Sequence, residues 1–116
     1  MRAVMLERQK RRLLAMKAEV EQQMRRLHAM IRQSVAEHSV LDQLDESQAN
    51  QAIDTDLVAA EFNASILKQI DDALVAIARG LYGVCEGCHQ PIEIRRLSAV
   101  PFARTCQGCQ KRVEAA

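Results

Sequence analysis

Aromatic side chains are almost missing: the 116 residues hold no Trp, one Tyr and two Phe, against a hydrophobic content of 48%. A thick single core draws on aromatic bulk, so this composition points to an elongated helical design built on aliphatic seams. Pro and Gly are also scarce, at two and four, and neither occurs before Gly80. Nothing in residues 1–79 therefore breaks a helix from within. Long apolar runs are absent as well. The uncharged stretch from Leu97 to Ala103 is far short of the ~20 residues that a membrane span requires. The N-terminus passes directly into Glu7, Arg8, Lys10, Arg11 and Arg12, without the apolar segment of a secretory signal. These absences predict a cytoplasmic chain that does not associate with membranes.

Charge is plentiful but divided along the chain. Residues 1–38 carry nine Lys/Arg against four Asp/Glu, a balance of +5. Residues 39–78 carry one against eight, a balance of −7, and residues 79–116 carry six against three, a balance of +3. A continuous basic strip for gripping phosphates is therefore excluded, and nucleic acid is not the first partner to suspect.

Leu6, Leu13, Val20 and Leu27 recur every seven positions, with Met24 and Ile31 interleaved. That is a coiled-coil seam. Lys10 and Lys17 take the interleaved places nearer the N-terminus, where their aliphatic stems can cover the seam. A second apolar face runs through Leu67, Ile70, Leu74, Ile77 and Leu81. Two helices of ~30 residues, each ~45 Å long, joined by a short connection must pair antiparallel. The fold expected is all-α, a long antiparallel helical hairpin over residues 1–79 followed by a small module over residues 80–116 that ends in a short helix. The hairpin satisfies its own seam, which predicts a monomer.

The connection, residues 39–50, loses the seam and gathers Asp42, Asp45, Glu46 and Ser47 at the tip. Asp45 could cap the second helix, with Gln48 returning the bond. Asp42, three positions before Asp45, is harder to explain as a cap of the same helix, and capping and a functional acidic tip can coexist there.

Four cysteines stand in two Cys-x-x-Cys pairs, Cys85 with Cys88 and Cys106 with Cys109, seventeen residues apart. In a reducing compartment this pattern is a metal site rather than a pair of disulfides. Four thiolates close a tetrahedron and leave no position for water or substrate, so the ion expected is one structural Zn2+. Gly87 and Gly108 are expected to relieve crowding inside the two knuckles. His89 reads as an exposed knuckle residue rather than a ligand, and His28 and His38 as residues of the first helix.

The stretch from Gly80 through Pro101, with the Ile-Arg-Arg-Leu-x-Ala-x-Pro run of residues 94–101, and then the second knuckle through Gln110, resembles the DksA/TraR family. In DksA-like members an Asp-x-x-Asp-x-Ala motif sits at the coiled-coil tip. At the matching distance upstream of Cys85 this chain has Asp42, Asp45 and, in place of the alanine, Ser47. The resemblance implies a non-enzymatic bacterial transcription factor that binds RNA polymerase and does not contact DNA. It implies a coiled coil inserted into the polymerase secondary channel, with the tip acids near the active site. Arg79, Arg95 and Arg96 would then hold the polymerase rim, the alternative being a solvated face of the zinc module. Where members that cooperate with ppGpp in the stringent response place basic residues, this chain has Phe62, Gln69, Val100 and Gln110. The resemblance thus implies weakened phosphate binding and little dependence on ppGpp.

Two other functions fit parts of the pattern. A stimulator of transcript cleavage similar to the Gre factors also uses an acidic hairpin tip, there to help hold a catalytic magnesium, but Gre factors have a different C-terminal domain. A zinc-ribbon nucleic-acid binder could use Arg95, Arg96, Arg104, Lys111 and Arg112. Only Tyr82 and Phe102 are near the ribbon for base stacking, and the acidic middle segment repels phosphates.

Overall fold

The computed structural model describes the backbone of residues 2–40 and 46–115 and the side chains of residues 2–37 and 54–115. Four helices follow in chain order: α1 (Ala3–Val40), α2 (Glu46–Ala78), α3 (Ile94–Ala99) and α4 (Gln107–Ala115). α1 and α2 form the helical hairpin that the seams predict, and α4 is the short C-terminal helix. α3 was not anticipated. Among the described residues β pairing is limited to one isolated antiparallel bridge, Val84 with Pro91.

The two long helices have 38 and 33 residues, more than the seam alone suggests. Helix extends through Ser39 and Val40 and starts again at Glu46, because good helix formers such as Glu46, Gln48 and Ala49 follow without Gly or Pro. Asp42 and Asp45 lie outside the described residues, and Ser47 falls in the first turn of α2.

The chain divides into two compact units, one of Met1–Lys17 with Lys68–Ala116, the other of Ala18–Leu67. In the first, Leu13 and Ile70 are completely buried, with Ala73, Ala76, Tyr82, Ile92, Leu97 and Ala103 around the same core. Burying a Leu or Ile side chain contributes roughly 1.5–3 kcal/mol, and the alanines let neighbouring backbone approach closely. Lys17 Nζ lies 2.8 Å from Asp71 Oδ1 and Gln9 reaches Tyr82. Ascending positions in α1 thus meet descending positions after and along α2, as antiparallel pairing requires. The exposed Lys17–Asp71 pair contributes about 0.2–1 kcal/mol.

One seam position differs from the sequence expectation. The interleaved place between Leu6 and Leu13 is taken by Gln9, which is 7% exposed, whereas Lys10 lies in solvent. In the second unit Val20, Met24, Leu27 and Ile31 are half-buried on α1, and Ala60 is buried with Asn63 and Ile66 half-buried on α2.

α2 stops where glycine first becomes available. Gly80 adopts φ +73, the left-handed conformation that a Cβ disfavours. Its N–H donates to the Ile77 carbonyl at 3.2 Å, and the Leu81 N–H donates to the Ala76 carbonyl at 2.8 Å. These two bonds form a Schellman cap that satisfies carbonyls left open at the helix end. Leu81 consequently leaves the apolar stripe on which its spacing placed it and is half-exposed. α3 ends because Val100 precedes Pro101 and is held at φ −130, ψ 87, away from helical geometry.

Candidate metal centre

Beyond the Gly80 stop the chain turns back on itself. Ile92 N–H donates to Gly83 O at 2.7 Å, Cys85 N–H to Gln90 O at 2.9 Å and His89 N–H to Cys85 O at 2.9 Å. The first knuckle therefore aims the Cys85 and Cys88 thiols inward. Its reversal falls on His89, with φ 62, a conformation uncommon for a residue with a side chain. In the second knuckle Cys106 precedes α4 and Cys109 lies in its first turn, with Gln110 N–H donating to Cys106 O at 2.9 Å. The two knuckles are joined by Glu86 N–H to Arg104 O at 2.9 Å and by Cys106 N–H to Cys85 Sγ at 3.3 Å.

All four sulfurs lie within 4.8 Å of one another, and Cys88 Sγ is 3.8 Å from Cys106 Sγ. Zinc bound tetrahedrally at ~2.3 Å places its sulfurs ~3.8 Å apart. The cluster is therefore the right size for that ion. Cys85 and Cys109 are buried and Cys88 and Cys106 half-buried, while His89 is exposed and outside the cluster.

The thiols are also in electrostatic conflict with one another. The Cys106 amide, and after it the Cys88 amide, stabilise a thiolate on Cys85 and lower its pKa to about 6. The hydrogen bond to Cys85, and after it that to Cys106, pushes Cys109 up to about 12. One negative sulfur makes the next harder to form, a conflict that a divalent cation removes.

Gly87 acts through its missing side chain. A Cβ there would lie 3.0 Å from Cys109 Sγ and 3.4 Å from Cys109 Cβ, so the first knuckle is open where the second inserts. Gly108 does not share that role, since a Cβ on it would meet only Cys106 Sγ at 4.0 Å, an ordinary contact. The expectation for Gly87 holds and that for Gly108 does not.

A polar lock ties α1 to this module. Tyr82 Oη donates to Pro101 O at 2.7 Å and accepts from Gln9 Nε2 at 3.0 Å. Gln9 Nε2 also reaches Leu97 O at 3.0 Å. Arg12 donates to Gln9 Oε1 at 2.9 Å and to Ser98 O at 2.8 Å. Burial raises the Tyr82 pKa above 10.0, against the lowering influence of Gln9. Sequence reasoning missed this lock. Its available signal was a polar residue at seam spacing, three after Leu6 and four before Leu13.

Residues 80–115 match the prokaryotic dksA/traR C4-type zinc finger. A protein of Aquifex aeolicus is 46% identical over 48 residues, a stretch that covers 41% of this chain and 33% of that protein. The RNA polymerase-binding transcription factor DksA of Caulobacter vibrioides is 30% identical over 109 residues, covering 94% of this chain and 75% of that protein. The chain belongs to the DksA/TraR family. The solved structure of transcription factor DksA2 from Pseudomonas aeruginosa superposes on this DksA/TraR chain with a TM-score of 0.85 at 26% identity, covering 97% of this chain and 85% of that one. As in the family's C4 finger, Cys85, Cys88, Cys106 and Cys109 hold a single structural zinc ion. The chain spans only a third of the Aquifex relative.

Of the arginines singled out in this DksA/TraR chain, Arg79 and Arg95 are exposed and Arg96 is half-buried. Arg96 Nε donates to Thr105 O at 2.8 Å, bracing the segment that leads into Cys106. Among the described residues no helix is long and apolar enough to cross a membrane.

Proposed function

We propose that this protein is a DksA-like regulator that binds RNA polymerase directly, inserts the tip between α1 and α2 into the secondary channel and modulates transcription initiation without catalysing a reaction. The observation that carries this reading is the likeness to the Caulobacter RNA polymerase-binding factor, which extends over 94% of the chain and so includes the hairpin as well as the finger. Asp42 and Asp45 are the tip groups assigned to the polymerase active-site region, with Ser47 beside them. Carboxylates delivered there can meet basic groups or perturb a nearby magnesium site. They alter the balance between promoter-complex states only if they interact differently with each.

Arg79 and Arg95 are assigned to the polymerase rim. Arg96 joins them with the guanidinium nitrogens that remain after its Nε serves Thr105 O. Little dependence on ppGpp is part of the same reading. Gln110 is already engaged, accepting from Thr105 Oγ1 at 2.9 Å and donating to Glu114 at 3.1 Å, and neither Phe62 nor Val100 carries charge.

The deciding experiment replaces Asp42 and Asp45 together with Asn and measures polymerase binding and promoter-complex lifetime in parallel. Binding is expected to persist while the effect on lifetime disappears. Loss of both together would make the aspartates anchors or fold determinants. Stimulated RNA cleavage in a backtracked complex would instead assign the protein to transcript cleavage.

A further inference from the structure

Four thiolates around one divalent ion leave a surplus of negative charge, and two of those sulfurs, on Cys85 and Cys109, are buried. Such charge is costly unless hydrogen-bond donors or cations face it. Backbone amides supply part of the answer. Gly87 N–H and Cys106 N–H each donate to Cys85 Sγ at 3.3 Å, and Cys109 N–H donates to Cys106 Sγ at 3.5 Å. Cys109 Sγ receives a different kind of donor. Arg112, one turn further along α4, places a guanidinium nitrogen 3.4 Å from it.

Two further arginines stand near the cluster: Arg96 Nε donates to Thr105 O, and Arg104 has a buried Nη1 with no hydrogen-bond partner. Arg104 Nε meets Glu86 Oε1 at 3.2 Å, so its charge is offset locally. We propose that Arg112 is the counter-ion of the zinc centre. It acts as a positioning residue that stabilises the Cys109 thiolate through a charge-assisted N–H···S bond and sets how tightly the metal is retained. The helical spacing makes this possible, because side chains three apart lie on one face. A charged donor makes the bond stronger than an amide does. It also withdraws electron density from the sulfur, so that Cys109 is shielded as a nucleophile while it remains a ligand. Arg112 itself is exposed, and its charge is therefore felt most at low ionic strength.

The test uses the full, reduced, zinc-loaded chain and a chromophoric chelator at low ionic strength, with Arg112→Ala, Arg112→Lys and, as a control on the same helix, Lys111→Ala. Arg112→Ala is expected to weaken zinc binding about 10- to 100-fold, Lys111→Ala by less than about twofold, and Arg112→Lys to recover part of the loss. With cobalt(II) in place of zinc, the sulfur-to-metal charge-transfer band of Arg112→Ala should move to longer wavelength, because the sulfur loses its donor, and move back in Arg112→Lys. Equal weakening by Arg112→Ala and Lys111→Ala would overturn the proposal. So would a loss of affinity with an unmoved cobalt band, which would reduce Arg112 to a residue that merely supports α4.

Discussion

Gln9 Nε2 stands 3.0 Å from the Tyr82 hydroxyl, joining the first turns of α1 to the start of the zinc module across 73 residues of chain. Gln9 is buried at a place where the seam would otherwise take an apolar side chain, and it is tolerated because its amide is used at both ends. Nε2 serves Tyr82 and Leu97, and Oε1 accepts from Arg12. A buried polar group so satisfied specifies one docking register, since a shifted α1 would leave it unpaired.

Tyr82→Phe removes the donor to Pro101 O and one partner of Gln9 while keeping the ring in the core. The zinc-loaded variant should lose about 1–3 kcal/mol, the cost of stranding a buried polar group. Urea unfolding reads this directly, and an unchanged midpoint would show that the lock contributes nothing.

Tyr82 is the only tyrosine and the chain has no Trp, so phenolate absorbance reports this residue alone. Its folded pKa is raised by burial above 10.0, which means that the folded state holds the proton where the unfolded state has begun to release it. The associated stability is fully present below pH 10.0 and is lost as pH rises through the folded value. A spectrophotometric titration of the folded protein should therefore show its midpoint above that of the urea-unfolded chain. Coincident midpoints would contradict the burial argument.

Gly87→Ala and Gly108→Ala form a matched pair. The first drives a methyl group to 3.0 Å from a ligand sulfur and the second to 4.0 Å. Zinc affinity should fall clearly in Gly87→Ala and stay near the parent value in Gly108→Ala. The latter, lying in α4, gains up to about 0.5–1 kcal/mol from better helix propensity. Equal affinities in the two variants would mean that the knuckles have slack that the structure does not show.

Removal of zinc should unfold the segment from Gly83 to the C-terminus, because structural zinc in small modules contributes roughly 10–16 kcal/mol to folding. Residues 3–12 should lose amide protection at the same time, since the carbonyls of Leu97 and Ser98 that receive Gln9 and Arg12 belong to the module. Hydrogen exchange before and after chelation measures both. Persistent protection after Gly83 would show that the apolar core holds the module without metal.

The zinc ligands were legible in the sequence because two tight thiol pairs admit few alternatives. The helical hairpin was legible because seven-residue periodicity and the absence of Gly and Pro before Gly80 act together. The exact seam was not. Lys10 and Gln9 are adjacent, and choosing between them requires knowing that Tyr82 and the Leu97 carbonyl stand opposite, a fact of tertiary placement. The roles of Gly87 and Gly108 could not be separated either, because both follow the same local pattern and differ only in what the other knuckle brings near. Leu81 kept the right spacing for the apolar face, but the Schellman cap at Gly80 turned the chain before it could be used.

The lock also has a consequence for synthesis. Gln9 leaves the ribosome long before its partners, since 73 residues separate it from Tyr82 and 88 from Leu97. At a translation rate of ~5–20 residues per second, the start of α1 waits roughly 4–18 s for the surface it docks on. During that interval Gln9 has neither Tyr82 nor the Leu97 carbonyl to meet, and water serves its amide until the module that carries them has been made.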